Sequence, residues 1–253
     1  TSGIDAFTLG LQHAEMDVNV QLGASSFSLS AGRAATPEVW TLGGMRPEER
    51  PDRPFGPGWM SDFVSYIQFA GQDLVVTNGQ SVTSYRAHRL TAEEATARTQ
   101  ASQEAGENEQ FDEGDVEYRL SPGFRREGRA YLNKLERVGD NEQPEELPDG
   151  AKVGYKFTTI SGSKFYFESR DHVTYQFREH DDEKYNYLYH LHYGRLVMAE
   201  DAAGNRLYFE YPDRYQEIPE EDYDKNPLIP TRIYDPARKD ISIRFELMEQ
   251  GKQ

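Results

Sequence analysis

Tyr187-Leu188-Tyr189-His190-Leu191-His192-Tyr193, Gly194-Arg195-Leu196-Val197-Met198-Ala199-Glu200, Asp201-Ala202-Ala203-Gly204-Asn205 and Arg206-Leu207-Tyr208-Phe209-Glu210-Tyr211 run on without a break, and this stretch decides the fold. Its aromatic and β-branched content suits a pleated sheet. Between the apolar runs, Asp, Gly and Asn supply what a hairpin turn requires, because Gly and Asn tolerate positive φ. Residues 187–211 are therefore expected to form a strand, a tight polar turn and a returning strand.

The same pattern continues on both sides. Upstream, the expected strands are 155–158, 164–167 and 173–177, with turns at Ile160-Ser161-Gly162-Ser163 and Ser169-Arg170-Asp171-His172. Downstream, Ile233-Tyr234-Asp235-Pro236-Ala237 leads into Ile241-Ser242-Ile243-Arg244-Phe245-Glu246-Leu247. From 153 to 247 the chain reads as a hairpin meander, interrupted only by the acidic stretch 217–224. Earlier, Phe63-Val64-Ser65-Tyr66-Ile67-Gln68-Phe69, Leu74-Val75-Val76-Thr77 and Val82-Thr83-Ser84-Tyr85 are further strands, the last two joined by Asn78-Gly79, a strong hairpin signal. The fold class is all-β, an antiparallel hairpin and meander ribbon, with four expected regions: 1–54, short strands and a Pro-rich loop; 55–90, opening hairpins; 91–150, an acidic insertion, helical or disordered; and 151–253, the hairpin repeat region. Within the insertion, Thr91 followed by Glu94 makes a capping box for a short helix, although the helix has almost no apolar stripe.

Several residues carry a resemblance. Gly194-Arg195-Leu196, four residues, Asp201, two residues, Gly204-Asn205 and then a strand ending in aromatics resembles one unit of the Rhs/YD-repeat proteins. The family's Tyr-Asp pair normally stands shortly before Gly-Arg; here Tyr189 and Tyr193 occupy that region without the Asp. A second, degraded copy has Tyr234 and Asp235, with Arg238-Lys239 in place of Gly-Arg. Gly56-Pro57-Gly58-Trp59, followed by paired strands, resembles the segment that opens the β-shell of Rhs-type proteins, and it precedes the repeat unit in the proper order. The resemblance implies a non-enzymatic piece of a ribbon that curls into a hollow shell around a C-terminal toxin or effector in bacterial competition, for example by type VI secretion. It implies no cofactor. The partners it implies are the remainder of the shell or a continuing chain and the enclosed toxin domain, with self-association through open strand edges. The protein would be cytoplasmic before export and then secreted or delivered from the cell.

Composition bounds the alternatives. Apolar residues are 36% and aromatics 12%, with 16 Tyr and 13 Phe, so a sheet wetted on much of both faces and held by aromatic ladders is expected rather than a thick oily interior. A net charge of −16 argues against nucleic-acid or anionic-membrane partners, which need clustered Lys and Arg. No apolar run approaches the roughly 20 residues that span a bilayer. Thr1-Ser2-Gly3 has neither a basic start nor an apolar core for a signal peptide, and a start without Met suggests part of a longer protein. Zero cysteines exclude a disulfide scaffold and a Cys-type zinc site.

Candidate chemistry is sparse. His190 and His192 face one side of a strand, and His180, Asp181 or Asp182 could supply a third ligand; no spacing fixes one, and polar residues on a Tyr-rich sheet account for them. Asp222, Asp224 and Asn226 begin like a calcium loop, but Pro227 and Ile233 stand where Gly and a bidentate Glu belong. Gly79-Gln80-Ser81-Val82-Thr83 lacks the closing Gly of a nucleophile elbow, and Pro57 removes an amide donor from any phosphate loop at Gly56 and Gly58. Arg195 is expected to stack on a Tyr or pair with an Asp across strands. No catalytic, cofactor or metal residue is assigned. The alternative function is a carbohydrate-binding or carbohydrate-active β-domain, with Trp40, Trp59 and the run 187–193 as a stacking platform.

Overall fold

A computed structural model describes residues 2–4, 11–21, 28–35, 59–61, 64–70, 73–78, 81–106, 108–121, 133–144, 147, 151–169, 174–178, 188–211 and 229–244. The chain is all-β with one α-helix among these residues. Strands β1 (Ser2–Ile4), β2 (Leu11–Gln21), β3 (Ser28–Ala35) and β4 (Trp59–Ser61) make a four-stranded antiparallel meander.

A second sheet of 12 strands holds the rest. It starts with β5 (Tyr66–Ala70), β6 (Asp73–Asn78) and β7 (Ser81–Arg89). As the Asn-Gly signal predicts, β6 and β7 form a hairpin, with Asn78 opposite Ser81. Helix α1 (Ala92–Ala105) follows, then β8 (Val116–Leu120), β9 (Lys134–Arg137), β10 (Val153–Thr158), β11 (Lys164–Glu168) and β12 (Thr174–Arg178). The long β13 (Leu188–Glu200), β14 (Arg206–Glu210), β15 (Arg232–Asp235) and β16 (Arg238–Arg244) complete it. The span 91–150, expected to be a helical or disordered insertion, thus contributes two sheet strands as well as a helix. Short strands carrying Glu, Arg and Lys, such as Lys134–Arg137, give too little apolar periodicity to be read alone.

Laterally the order is β8-β7-β6-β5-β13-β11-β10-β9, and β8 comes alongside β9 without ladder pairing, so the sheet nearly closes into a barrel. From the C-terminal part of β13, β14-β15-β16 branch off as a three-stranded meander. Inward positions alternate with outward ones as the pleat demands. Leu135, Phe157 and Phe167 belong to the core together with Tyr66, Tyr85 and Tyr193, while Lys134, Glu136 and Lys156 face out as an ion-pair ladder. The inner face is therefore a dry aromatic core, not the surface wetted on both sides that composition suggests; closure lets modest apolar content suffice, since only one face must be covered.

Helix α1 is anchored by polar contacts instead of an apolar stripe. Thr91 accepts a bond from the Glu94 amide at 3.3 Å, and the Glu94 carboxylate accepts from the Thr91 amide at 3.0 Å, completing the predicted capping box. That carboxylate also meets His88 of β7 at 3.0 Å and Arg119 of β8 at 2.9 Å. The Thr91 amide first, then His88 and Arg119, hold the Glu94 carboxyl down at about 2, against an ordinary 4.5. A carboxyl depressed on folding stabilises above its unfolded value and loses that effect as pH falls through its folded value. Helical far-UV dichroism is accordingly expected to decline between about pH 4.5 and 2, with a smaller acid step in Glu94→Gln measured over the same titration.

Candidate functional site

The centre of the sheet is the point where β13 changes partners. On one edge, Leu196 through Glu200 pair with β11, and Leu188 through His192 pair with β12. On the other edge, Met198 through Glu200 pair with β14, whereas Tyr193, Gly194 and Arg195 pair with β5. The backbone of Leu196 continues this second contact, donating from its amide to the Ser65 carbonyl at 3.1 Å. Four of the predicted motif residues, Tyr193, Gly194, Arg195 and Leu196, therefore stand together at the branch.

Each has a distinct physical role. A Cβ on Gly194 would lie 2.3 Å from the Glu168 carbonyl oxygen, and one on Gly154 of β10 would lie 2.5 Å from Ser169 Cα. The backbone at 168–169 thus threads a slot between two residues without side chains. Arg195 is buried with its side chain 2% exposed, beside Glu168 at 1%. Its Nε donates to Glu168 Oε2 at 2.9 Å, its terminal NH2 group to Oε1 at 3.3 Å, and its own amide to Oε2 at 3.3 Å. The Tyr211 ring lies 4.8 Å from the guanidinium carbon. Arg195 thus both stacks on a Tyr and pairs with a carboxylate, as expected, and among the described residues that carboxylate is Glu168 rather than an Asp. Tyr193 is buried edge-on to Tyr66 at 5.2 Å, and Leu196 enters the main core.

A bulge follows immediately. Tyr166 pairs with Met198 but Phe167 with Leu196, so Val197 is extra. That residue inverts the pleat: Leu196 and Ala199 join the barrel core, while Val197 and Met198 reach separate apolar clusters with Leu147 and Tyr166.

At the end of β13, Asp201, Gly204 and Asn205 build the predicted turn. Asp201 Oδ1 accepts from the amides of Ala203 at 2.9 Å and Asn205 at 2.8 Å, and Oδ2 accepts from Asn205 Nδ2 at 2.8 Å. Gly204 has φ of 86°, which favours its lack of a side chain. The second copy uses the same device: Asp235 Oδ1 accepts from the Ala237 amide at 2.8 Å, and Asp235 opposes Arg238 across a tight turn. Tyr234 sits edge-on to Tyr208 at 5.8 Å, linking the two units on β15 and β14. Beside the first turn, burial opposes ionisation of Glu200, yet Lys164 at 2.8 Å and Arg206 at 2.9 Å hold its carboxyl below the usual range.

The remaining predicted residues are not brought to this site. Tyr189 opposes Phe177 on β12, and its side chain lies outside the described residues, as do Gly56 and Gly58. Trp59 pairs with Ala35 in the four-stranded sheet, whereas the hairpins after it belong to the other sheet. His190 and His192 oppose Gln176 and Thr174; His180, Asp181, Asp182, Asp222, Asp224, Asn226 and Trp40 lie outside the described residues. Among the described residues no group of three or more His, Asp or Glu is placed to hold a metal ion, and no helix is long and apolar enough to cross a membrane. Sequence reading missed Glu168, Gly154 and Tyr211; the only signal for Glu168 was an acidic residue closing the aromatic strand Lys164-Phe165-Tyr166-Phe167.

No protein-family model matches this sequence, and no curated protein is significantly similar to it.

Replacing Arg195 by Met takes the Arg195 partner away from the buried Glu168 carboxylate and should cost about 3–5 kcal/mol in chemical denaturation. The double variant Arg195→Met/Glu168→Gln should recover part of that loss, because no charge is left unpaired. Gly194→Ala, whose methyl has only backbone to displace, should cost about 3 kcal/mol, against less than about 0.5 kcal/mol for an exposed control such as Ala97→Ser.

Proposed function

We propose that this chain is a non-enzymatic wall segment of an Rhs/YD-repeat shell, one stretch of a hairpin ribbon that encloses a C-terminal toxin or effector delivered from a bacterial cell. The observation that carries this reading is the use to which the repeat-like residues are put. Gly194 admits a neighbouring backbone, Arg195 locks it with a buried ion pair, Leu196 enters the core, and Asp201, Gly204 and Asn205 turn the chain into the next strand. Such a device builds and curves a wall, and it recurs in part at Tyr234 and Asp235. Among the described residues β16 has a ladder partner only in β15, although β3 approaches it, and the remainder of the shell would extend that edge.

The test is to read the coding sequence on both sides of these 253 codons and to express the whole product. Further Gly-Arg-Leu and Tyr-Asp units downstream, ending in an unrelated terminal domain that resists protease inside the intact protein, are expected. A stop codon directly after Gln253, or a terminal domain cut as fast inside the protein as alone, overturns the reading.

A further inference from the structure

One end of the barrel-like sheet carries a feature that wall-building does not use. Ala87 of β7 opposes Tyr118 of β8, Arg89 opposes Val116, and Arg137 of β9 opposes Tyr155 of β10. Directly opposed residues share a face, and Tyr118 and Tyr155 both pack on the inner core. Period two agrees, placing Arg89 on the face of Tyr85 and Arg137 on the face of Leu135. Both arginines therefore belong to the inner face at its rim. The outer face of the same strands is already occupied, by the His88, Glu94, Arg119 and Glu117 contacts with α1.

Below the rim lie three half-buried rings tilted against one another, by 54° between Phe69 and Tyr155 and 71° between Tyr118 and Tyr155. Tyr155 is 5.6 Å from Phe69 and 5.8 Å from Tyr118, centroid to centroid. Above them, Arg89 and Arg137 are exposed, and Val116 is 41% exposed, although it faces the inner side. Burial pushes the Tyr118 hydroxyl upward, the Tyr155 hydroxyl beside it adds to this, and the Arg137 charge opposes it.

The charges sharpen the picture. In a chain of net charge −16, Arg86, Arg98, Arg119, Arg195 and Arg206 each hold a carboxylate at 3.0 Å or less. Among the described residues, no carboxylate stands within ion-pair distance of Arg89 or Arg137. Two arginines kept free of abundant acid, on the inner rim of a nearly closed sheet beside aromatic rings, match a ligand that brings its own carboxylate. Barrel mouths are a common place for such sites.

We propose that this mouth binds a small carboxylate ligand with one flat face, the face packing against Tyr155 beside Tyr118 and the carboxylate paired with Arg137, Arg89 flanking it. A uronic-acid sugar and an aromatic acid share this chemistry. The site goes beyond the shell reading and stands or falls separately from it.

Calorimetric titration of the folded protein with digalacturonate and with 4-hydroxyphenylacetate, each beside its uncharged alcohol counterpart, tests the assignment. Expected is binding of one carboxylate with Kd on the order of 1 mM or tighter, with its neutral counterpart about tenfold weaker. Response to digalacturonate alone identifies the sugar source, and response to the aromatic acid alone the other. Arg137→Gln, at an exposed position that leaves the melting temperature unchanged, should weaken binding about tenfold, and Arg89→Gln by less. Absence of binding by either acid up to about 10 mM, equal binding of the neutral counterpart, or an unchanged Kd in Arg137→Gln overturns the proposal.

Discussion

The buried pair of Arg195 and Glu168 is the constraint on which the sheet depends. Two opposite charges with side chains 2% and 1% exposed are tolerable only if they are paired and hydrogen-bonded, and the fork of Arg195, its backbone amide and the Tyr211 ring all contribute to that. The pair sits where the backbone at 168–169 passes between Gly154 and Gly194. Were either glycine to carry a side chain, β11 could not approach closely enough to set Glu168 against Arg195. The ion pair and the two glycines are one device, with a register consequence: they hold β11 against β13 at the point where β13 passes from β14 to β5.

From that point the geometry follows. The bulge at Val197 turns one more residue outward, so β13 presents Leu196 to the barrel core and Val197 and Met198 to the opposite face. The branch strands β14 and β15 are consequently apolar on both sides, Leu207, Phe209 and Ile233 on one and Tyr208 and Tyr234 on the other. The cover on the second side includes Leu147, from a connection held in part by Gln143, whose side-chain amide makes both a donor and an acceptor bond of 2.8 Å with the Val153 backbone.

Electrostatics divides the molecule by face. Outward charges are paired across strands, in the ladder of Lys134, Glu136 and Lys156 and in that of Lys164, Glu200 and Arg206, and each pair contributes modestly because water screens it. Arg89 and Arg137, on the inner rim, have no carboxylate within ion-pair distance among the described residues, and Arg137 stands opposite Tyr155.

Local chemistry by itself determined the all-β class, the β6–β7 hairpin at Asn78, the capping box of Thr91 and Glu94, and the turn at Asp201, Gly204 and Asn205. Each depends on residues a few positions apart, so φ preferences, turn-forming side chains and period-two alternation suffice to read them. Only the tertiary structure decided that Glu168 is a partner of Arg195, that Gly154 and Gly194 flank one backbone, that β8 and β9 belong to the sheet, and that Arg137 stands opposite Tyr155 on the inner face. Those relations join residues far apart in the chain, and no local preference encodes them. They arise when a nearly closed sheet brings distant strands side by side and burial penalises every charge left without a partner.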